Sequence, residues 1–191
     1  MTPAVGGTPA FAVADIGHDP DALEAFYRQH LEQVQRFVAR RTADPETAAD
    51  LTADVFLAAI DSSHRYKPDL GSPAGWLYGI ARHVVASHHR SAYRRARATA
   101  RFRAREWLDD EATEHLVARI DAERKARAVV EALADLPEGQ RAVVELVAVD
   151  GLRLDEAAQA LGISPNNARV RYHRARRRLT QTVPSIIEVI S

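Results

Sequence analysis

The sequence predicts an all-α protein made of two small helical domains joined by a flexible linker, the C-terminal one a helix-turn-helix. Three observations carry that expectation. Apolar residues recur at three- and four-residue spacing wherever they gather, and no alternating run competes for a strand. The periodic stretches open on Asp44-Pro45, Ser72-Pro73 and Ser164-Pro165, each an N-cap residue followed by a first-turn proline. A length of 191 residues exceeds one ordinary domain and suits two small ones, and 46% apolar residues are enough to give each a core.

Residues 1–20, broken by Pro3, Gly6, Gly7 and Pro9 and lacking a basic n-region, are expected to be a disordered leader and not a signal peptide. The first domain, 21–97, begins with a helix whose stripe is Leu23, Phe26, Tyr27, Leu31, Val34, Phe37 and Val38. After Asp44-Pro45 a second stripe runs through Leu51, Val55, Phe56, Ala59 and Ile60. Breakers from Asp61 to Gly71 predict a loop, and Ser72-Pro73 opens a third helix through Trp76, Leu77, Ile80, Ala81, Val84 and Val85. Residues 98–129 read as a charged linker. The second domain spans 130–182: a helix from Pro137 to Val149, a stop at Asp150-Gly151, a short helix from Leu154 to Leu161, a turn at Gly162-Ile163-Ser164 and a last helix striped by Ala168, Tyr172, Ala175 and Leu179. Residues 183–191 form an apolar tail.

The formal net charge is zero, from 26 basic and 26 acidic residues, but charge is segregated along the chain. Only Lys67 and Lys125 are lysines, so the positive charge is almost wholly guanidinium, the group suited to bidentate phosphate and guanine contacts. Acidic residues vanish between Arg82 and Arg105 while Arg90, Arg94, Arg95, Arg97, Arg101 and Arg103 accumulate, a surface that seeks polyanions. The following stretch reverses sign. The last helix turns Arg169, Val170, His173, Arg174, Arg176 and Arg177 away from its apolar stripe, with Ser164 at its cap and Asn166 and Asn167 in its first turn. Such a helix can enter the major groove, where Arg reads guanine, Asn reads adenine and the remaining arginines, Arg171 among them, hold phosphates. A solvated terminal helix is the plainer reading of the same residues.

Two segments also resemble a known family. The run Ala49-Asp50-Leu51-Thr52-Ala53-Asp54-Val55-Phe56, followed by Pro73-Ala74-Gly75-Trp76-Leu77-Tyr78-Gly79-Ile80-Ala81-Arg82, resembles the promoter-melting domain of bacterial RNA polymerase sigma factors of the extracytoplasmic-function type. Leu136-Pro137 through Leu179, with Gly151-Leu152 and Arg174-Ala175-Arg176, is similar to that family's promoter-binding helix-turn-helix. The resemblance implies that 21–97 is sigma region 2 and 130–182 is sigma region 4, and that the chain directs promoter-specific initiation. It further implies that Asp50, Leu51, Thr52, Asp54 and Phe56 meet core RNA polymerase, although Leu51 and Phe56 also belong to an apolar stripe and suit a core. The minus-ten element and the melted strand would be held by His64, Arg65, Tyr66, Lys67, Trp76, Tyr78, Arg82, Arg90, Arg94 and Arg95. Of the two aromatics on the third helix, Tyr78 lies off the main stripe and is expected at the surface, while Trp76 suits either core or contact. The minus-thirty-five element would fall to the last helix. Expected partners are core RNA polymerase, promoter DNA and an anti-sigma factor.

Without cysteine there is no thiolate metal site, disulfide or cysteine nucleophile. His83, His88 and His89 lack a carboxylate at ligand spacing on their helix, and neither a Gly-rich phosphate loop nor a nucleophile motif is present. The expectation is therefore a protein with no catalytic residues, metal or cofactor. No apolar run approaches the roughly 18 residues of a membrane span, which predicts a cytoplasmic protein without membrane insertion. A stand-alone helix-turn-helix regulator or a helical RNA-binding protein would explain parts of the chain; the former leaves the Trp76 helix and its basic extension without a role.

Overall fold

The computed structural model describes residues 12–99 and 128–182, with side chains at all of these but 93 and 95–99. The predicted leader before 12, most of the linker, Arg95, Arg97, Arg101, Arg103, Arg105 and the apolar tail therefore lie outside the described residues or side chains. Every regular element described is helical, and the chain divides into two compact units at Ser87/His88.

In the first unit, helix α1 spans Pro20–Ala39 and α2 Pro45–Ser62, and α3, Pro73–Thr99, begins there and runs on past the division. α2 and α3 start at the caps that the sequence places, Asp44 and Ser72, whereas α1 starts at Pro20, capped by Asp19 within the stretch expected to be a disordered leader. Asp19 accepts from the Asp21 backbone N–H at 3.0 Å, Asp44 from that of Thr47 at 2.8 Å, and the Ser72 hydroxyl from that of Gly75 at 3.1 Å. Each cap satisfies one of the donors that a helix start leaves orphaned, worth about 1 kcal/mol. α1 buries Ala22, Phe26, His30, Val34, Phe37 and Val38, and its outer face is laced by Glu24–Arg28 and Glu32–Arg36 pairs one turn apart. Phe26 ties the three helices together, its ring centroid 6.3 Å from Phe56 on α2 and 6.4 Å from Trp76 on α3.

The leader is folded closer to the N-terminus than the sequence suggests. Val13–Gly17 forms a 3₁₀ turn that packs against α1 and against the turn after α2, burying Val13 and Ile16. Gly17 permits the approach: a Cβ there would stand 2.9 Å from the Ser63 hydroxyl. A turn this short has no helical period to read, so its two apolar residues pass for part of a loop. Ile16→Ala should lower the stability of this unit by about 2–5 kcal/mol, measured as a fall in its thermal midpoint; an unchanged melt would return residues 13–17 to a dispensable arm.

In the second unit a helical run over 128–134 is followed by α4, Glu138–Val144, which widens into a π-turn over Glu145–Val149 instead of continuing regularly as the sequence predicts. The Asp150 N–H reaches back five residues to the Glu145 carbonyl at 2.9 Å, and that of Leu152 bonds Leu146 at 2.9 Å, so the wider turn closes the helix against a buried Leu146. Helix α5, Leu154–Leu161, ends at Gly162, whose φ of +64° is the left-handed cap conformation that glycine takes without strain. Ser164 then caps α6, Pro165–Thr182, accepting from the Asn167 N–H at 3.2 Å. The core joins Ala132, Leu136, Val144, Ala175 and Leu179, which holds α6 along one stripe.

Candidate nucleic-acid interfaces

The segment between α2 and α3 is ordered by its own residues. Ser63–Arg65 and Pro68–Leu70 form two 3₁₀ turns. The Tyr66 hydroxyl donates to the Gly71 carbonyl at 2.8 Å, and its ring lies edge-on to Trp76 at 5.4 Å. Burial against Trp76 raises the Tyr66 phenol above its ordinary value, so the proton that makes the Gly71 bond is retained. Stability therefore does not change with this group below about pH 10 and falls as pH rises above it, because the phenol of the unfolded chain ionises before the buried one. Around this tether His64, Arg65 and Lys67 are exposed. The Arg65 Nε–H donates to His64 Nε2 at 3.2 Å, leaving the rest of the guanidinium fork to solvent.

Tyr78 of α3 does not take its expected place at the surface. Tyr78 is buried, 3% exposed, with its ring edge-on to Phe37 at 5.2 Å. It is a core residue and cannot present a face to an unstacked base. Tyr78, Ala81 and Val85 follow one another at three- and four-residue intervals on the covered face, whereas Trp76 lies at its margin, half-buried between Phe26 and Tyr66. Farther along α3, Arg82 is half-buried, Arg90 and Arg94 are exposed, and Arg94 also bonds the Ser91 hydroxyl at 3.1 Å.

On α2 the residues matched to polymerase contact separate by face. Asp50 and Asp54 are exposed, while Leu51, Thr52 and Phe56 are buried and cannot meet a partner. The Thr52 hydroxyl is spent on the Ala48 carbonyl at 2.7 Å, and Phe56 packs beneath Tyr27 with ring centroids 4.6 Å apart. The sequence reading overlooks Leu57, which is 59% exposed. It stands seven residues after Asp50 and four before Asp61, so carboxylate, carboxylate, leucine and carboxylate share one exposed face. The spacing of the acids alone could have marked it.

The last helix presents Asn166, Asn167, Arg169, Val170, His173, Arg174, Arg176 and Arg177 to solvent beyond the exposed cap Ser164. Arg171 differs. It is half-buried, and its guanidinium lies over Gly139 of α4, so close that a Cβ on Gly139 would come within 2.8 Å of Nη1. Arg171 braces α6 against α4 instead of projecting with its neighbours.

A notch of about 360 Å³ between the end of α1 and the start of α2 holds no comparable chemistry: its one carboxylate, Asp44, is engaged in capping α2. Among the described residues no group of three or more His, Asp or Glu could hold a metal ion, and no described helix is long and apolar enough to cross a membrane.

Comparison with known proteins places both units. Residues 26–95 match the family model for sigma-70 region 2, and residues 126–179 match sigma-70 region 4. The chain is 38% identical over 161 residues to the ECF RNA polymerase sigma factor SigC of Mycobacterium tuberculosis, covering 81% of this chain and 80% of that one. It is 35% identical over 173 residues to SigD of the same species, covering 88% and 80%. Its fold is similar to that of CnrH in complex with the cytosolic domain of CnrY, with a TM-score of 0.58 at 23% identity over 91% of this chain and 96% of that one. It is also similar to RpoE in complex with the anti-sigma factor NepR from Bartonella quintana, with a TM-score of 0.55 at 20% identity over 84% and 98%.

Proposed function

Because the chain belongs to the ECF RNA polymerase sigma factors, which direct core RNA polymerase to promoters, we propose that its first unit binds the polymerase and holds the opened minus-ten region while α6 reads the minus-thirty-five element. The observation that carries this division is the contrast of exposed charge. The outer face of α2 offers Asp50, Asp54 and Asp61 around Leu57, suited to a basic protein surface; the loop after it offers Arg65 and Lys67, and α6 offers Arg169, Arg174, Arg176 and Arg177, suited to phosphates and base edges. The chain itself carries out no covalent step, which falls to the polymerase, and it works in the cytoplasm. An anti-sigma factor that covered the α2 face would block polymerase directly.

Transcription by core polymerase plus this chain from a pool randomised over both promoter elements tests the reading. The expected outcome is a pair of enriched sequence blocks at one spacing; a pool that stays random would overturn it. Within the upstream block, Arg174→Ala should weaken binding by about 1–3 kcal/mol, the worth of a bidentate base contact. Arg171→Ala should act on stability more than on affinity, because its guanidinium is seated over Gly139. Footprints and thermal melts of the two variants separate these roles, and equal loss of the minus-thirty-five footprint in both would place Arg171 back among the DNA contacts.

A further inference from the structure

The 3₁₀ turn before α1, Val13–Gly17, packs against the turn Ser63–Arg65 that opens the loop after α2. It is tied directly to α1: the Asp15 carbonyl accepts from the His18 N–H at 3.0 Å and from the Asp19 N–H at 2.9 Å, and Asp19 is the cap of that helix. Val13 and Ile16 are 3% and 2% exposed, so the turn is a packed element of the unit. At its last residue, Gly17, an added Cβ would meet the Ser63 hydroxyl at 2.9 Å and the Ile60 carbonyl at 3.4 Å. Gly17 is not among the described glycines of positive φ, so its backbone makes no demand for glycine. What the missing side chain supplies is room for Ser63.

Ser63 is the residue from which the loop departs. It is 3% exposed; its hydroxyl donates to the Ile60 carbonyl at 2.9 Å, and its own carbonyl accepts from the Tyr66 N–H at 3.0 Å. These two bonds join the last turn of α2 to the first turn of the loop, and between their ends His64 and Arg65 are exposed. Whatever holds Ser63 therefore sets where the backbone that carries His64 and Arg65 begins. We infer that the Val13–Gly17 turn is a strut for this loop and that Gly17 is a positioning residue, keeping Ser63 and the turn after it in place before DNA arrives. A loop already ordered spends none of its binding energy on becoming so. The inference rests on the reading of residues 62–72 as a minus-ten contact, and it adds a support that lies outside the loop. Residues 13–17 also precede the segment 26–95 that matches sigma-70 region 2, so the strut is a feature of this chain beyond that match.

The test uses holoenzyme formed from core polymerase and the full chain, with a fluorescently labelled single-stranded DNA selected by the parent holoenzyme from a randomised pool. Gly17→Ala is expected to weaken single-strand binding about fivefold, a coupling of the size found between residues in contact. In a Ser63→Ala background, where the obstructing hydroxyl is gone, the same substitution should change binding by less than about twofold. The minus-thirty-five footprint of the Gly17→Ala holoenzyme and its recovery with core enzyme should match the parent. A weakening that is equal in the two backgrounds overturns the strut, because Gly17 would then act through something other than Ser63. A loss of footprint or of recovery as large as the loss of single-strand binding overturns it too, since that is the mark of a unit weakened throughout. Replacing His64, Arg65 and Lys67 together by Ala separates the strut from the reading beneath it. Loss in that variant beside parent-like binding by Gly17→Ala overturns the strut alone, and parent-like binding by both overturns the loop reading and the strut with it.

Discussion

Leu57→Arg is expected to cut recovery of this chain with core RNA polymerase sharply, lowering the association by roughly thirtyfold to a thousandfold, as losses of about 2–4 kcal/mol at the centre of an interface do. The apolar anchor is lost and a cation is placed where the partner is expected to be basic, a juxtaposition that costs several kcal/mol by itself. Leu57 is 59% exposed, so nothing in the core depends on it and the variant should melt with the parent. Asp50→Arg should act in the same direction but less strongly, because a charge at the rim acts through a screened solvent. The parallel substitution Leu51→Arg separates an interface from a fold: Leu51 is buried, so that variant should lose its cooperative melt before any question of binding arises. Full recovery of Leu57→Arg with core enzyme would move the polymerase contact off this face of α2.

Helix starts were legible because they are local. Asp44-Pro45 and Ser72-Pro73 state their caps within a few residues, and the structure places α2 and α3 there. The apolar stripes of α1 and α6 were legible for the same reason: a period of 3.6 needs no partner to be recognised. What the sequence misplaced was Tyr78 of α3, expected at the surface and found 3% exposed. Both Trp76 and Tyr78 lie within reach of a broad apolar face, and which of them is covered depends on where Phe37 of α1 and Tyr66 of the preceding loop arrive, both non-local. Arg171 went astray in the same way. Its helix wheel assigns it to the basic face, and only the missing side chain of Gly139, on another helix, shows where its guanidinium rests. Within the candidate site the exposed cations of the loop and of α6 were legible from charge alone, since charged side chains are almost never fully buried without a partner.

Tyr78→Ala and the loop pair Arg65→Ala with Tyr66→Ala should both reduce transcription, for opposite reasons. Tyr78 is 3% exposed and packed on Phe37, so its truncation leaves a cavity worth about 3–5 kcal/mol. The first unit should then melt more than about 10 °C lower, and the loss should be equal on duplex and premelted promoters, because the whole scaffold is weakened. Arg65 is exposed, and Tyr66 holds the loop by one hydrogen bond and one ring contact at its surface, so their removal should leave most of the core intact. That variant should keep the upstream footprint, since α6 is untouched, yet form less open complex by about 1–3 kcal/mol, the contribution of a stacked and neutralised base. A premelted bubble removes the cost of unpairing and should recover much of the lost activity. Permanganate reactivity of thymines on matched and bubble templates, read beside thermal melts, measures both effects. A Tyr78→Ala protein that melts with the parent but fails to open duplex promoter would return Tyr78 to the melted strand, and an equal defect of the loop pair on both templates would leave residues 62–72 as no more than a connection between packed helices.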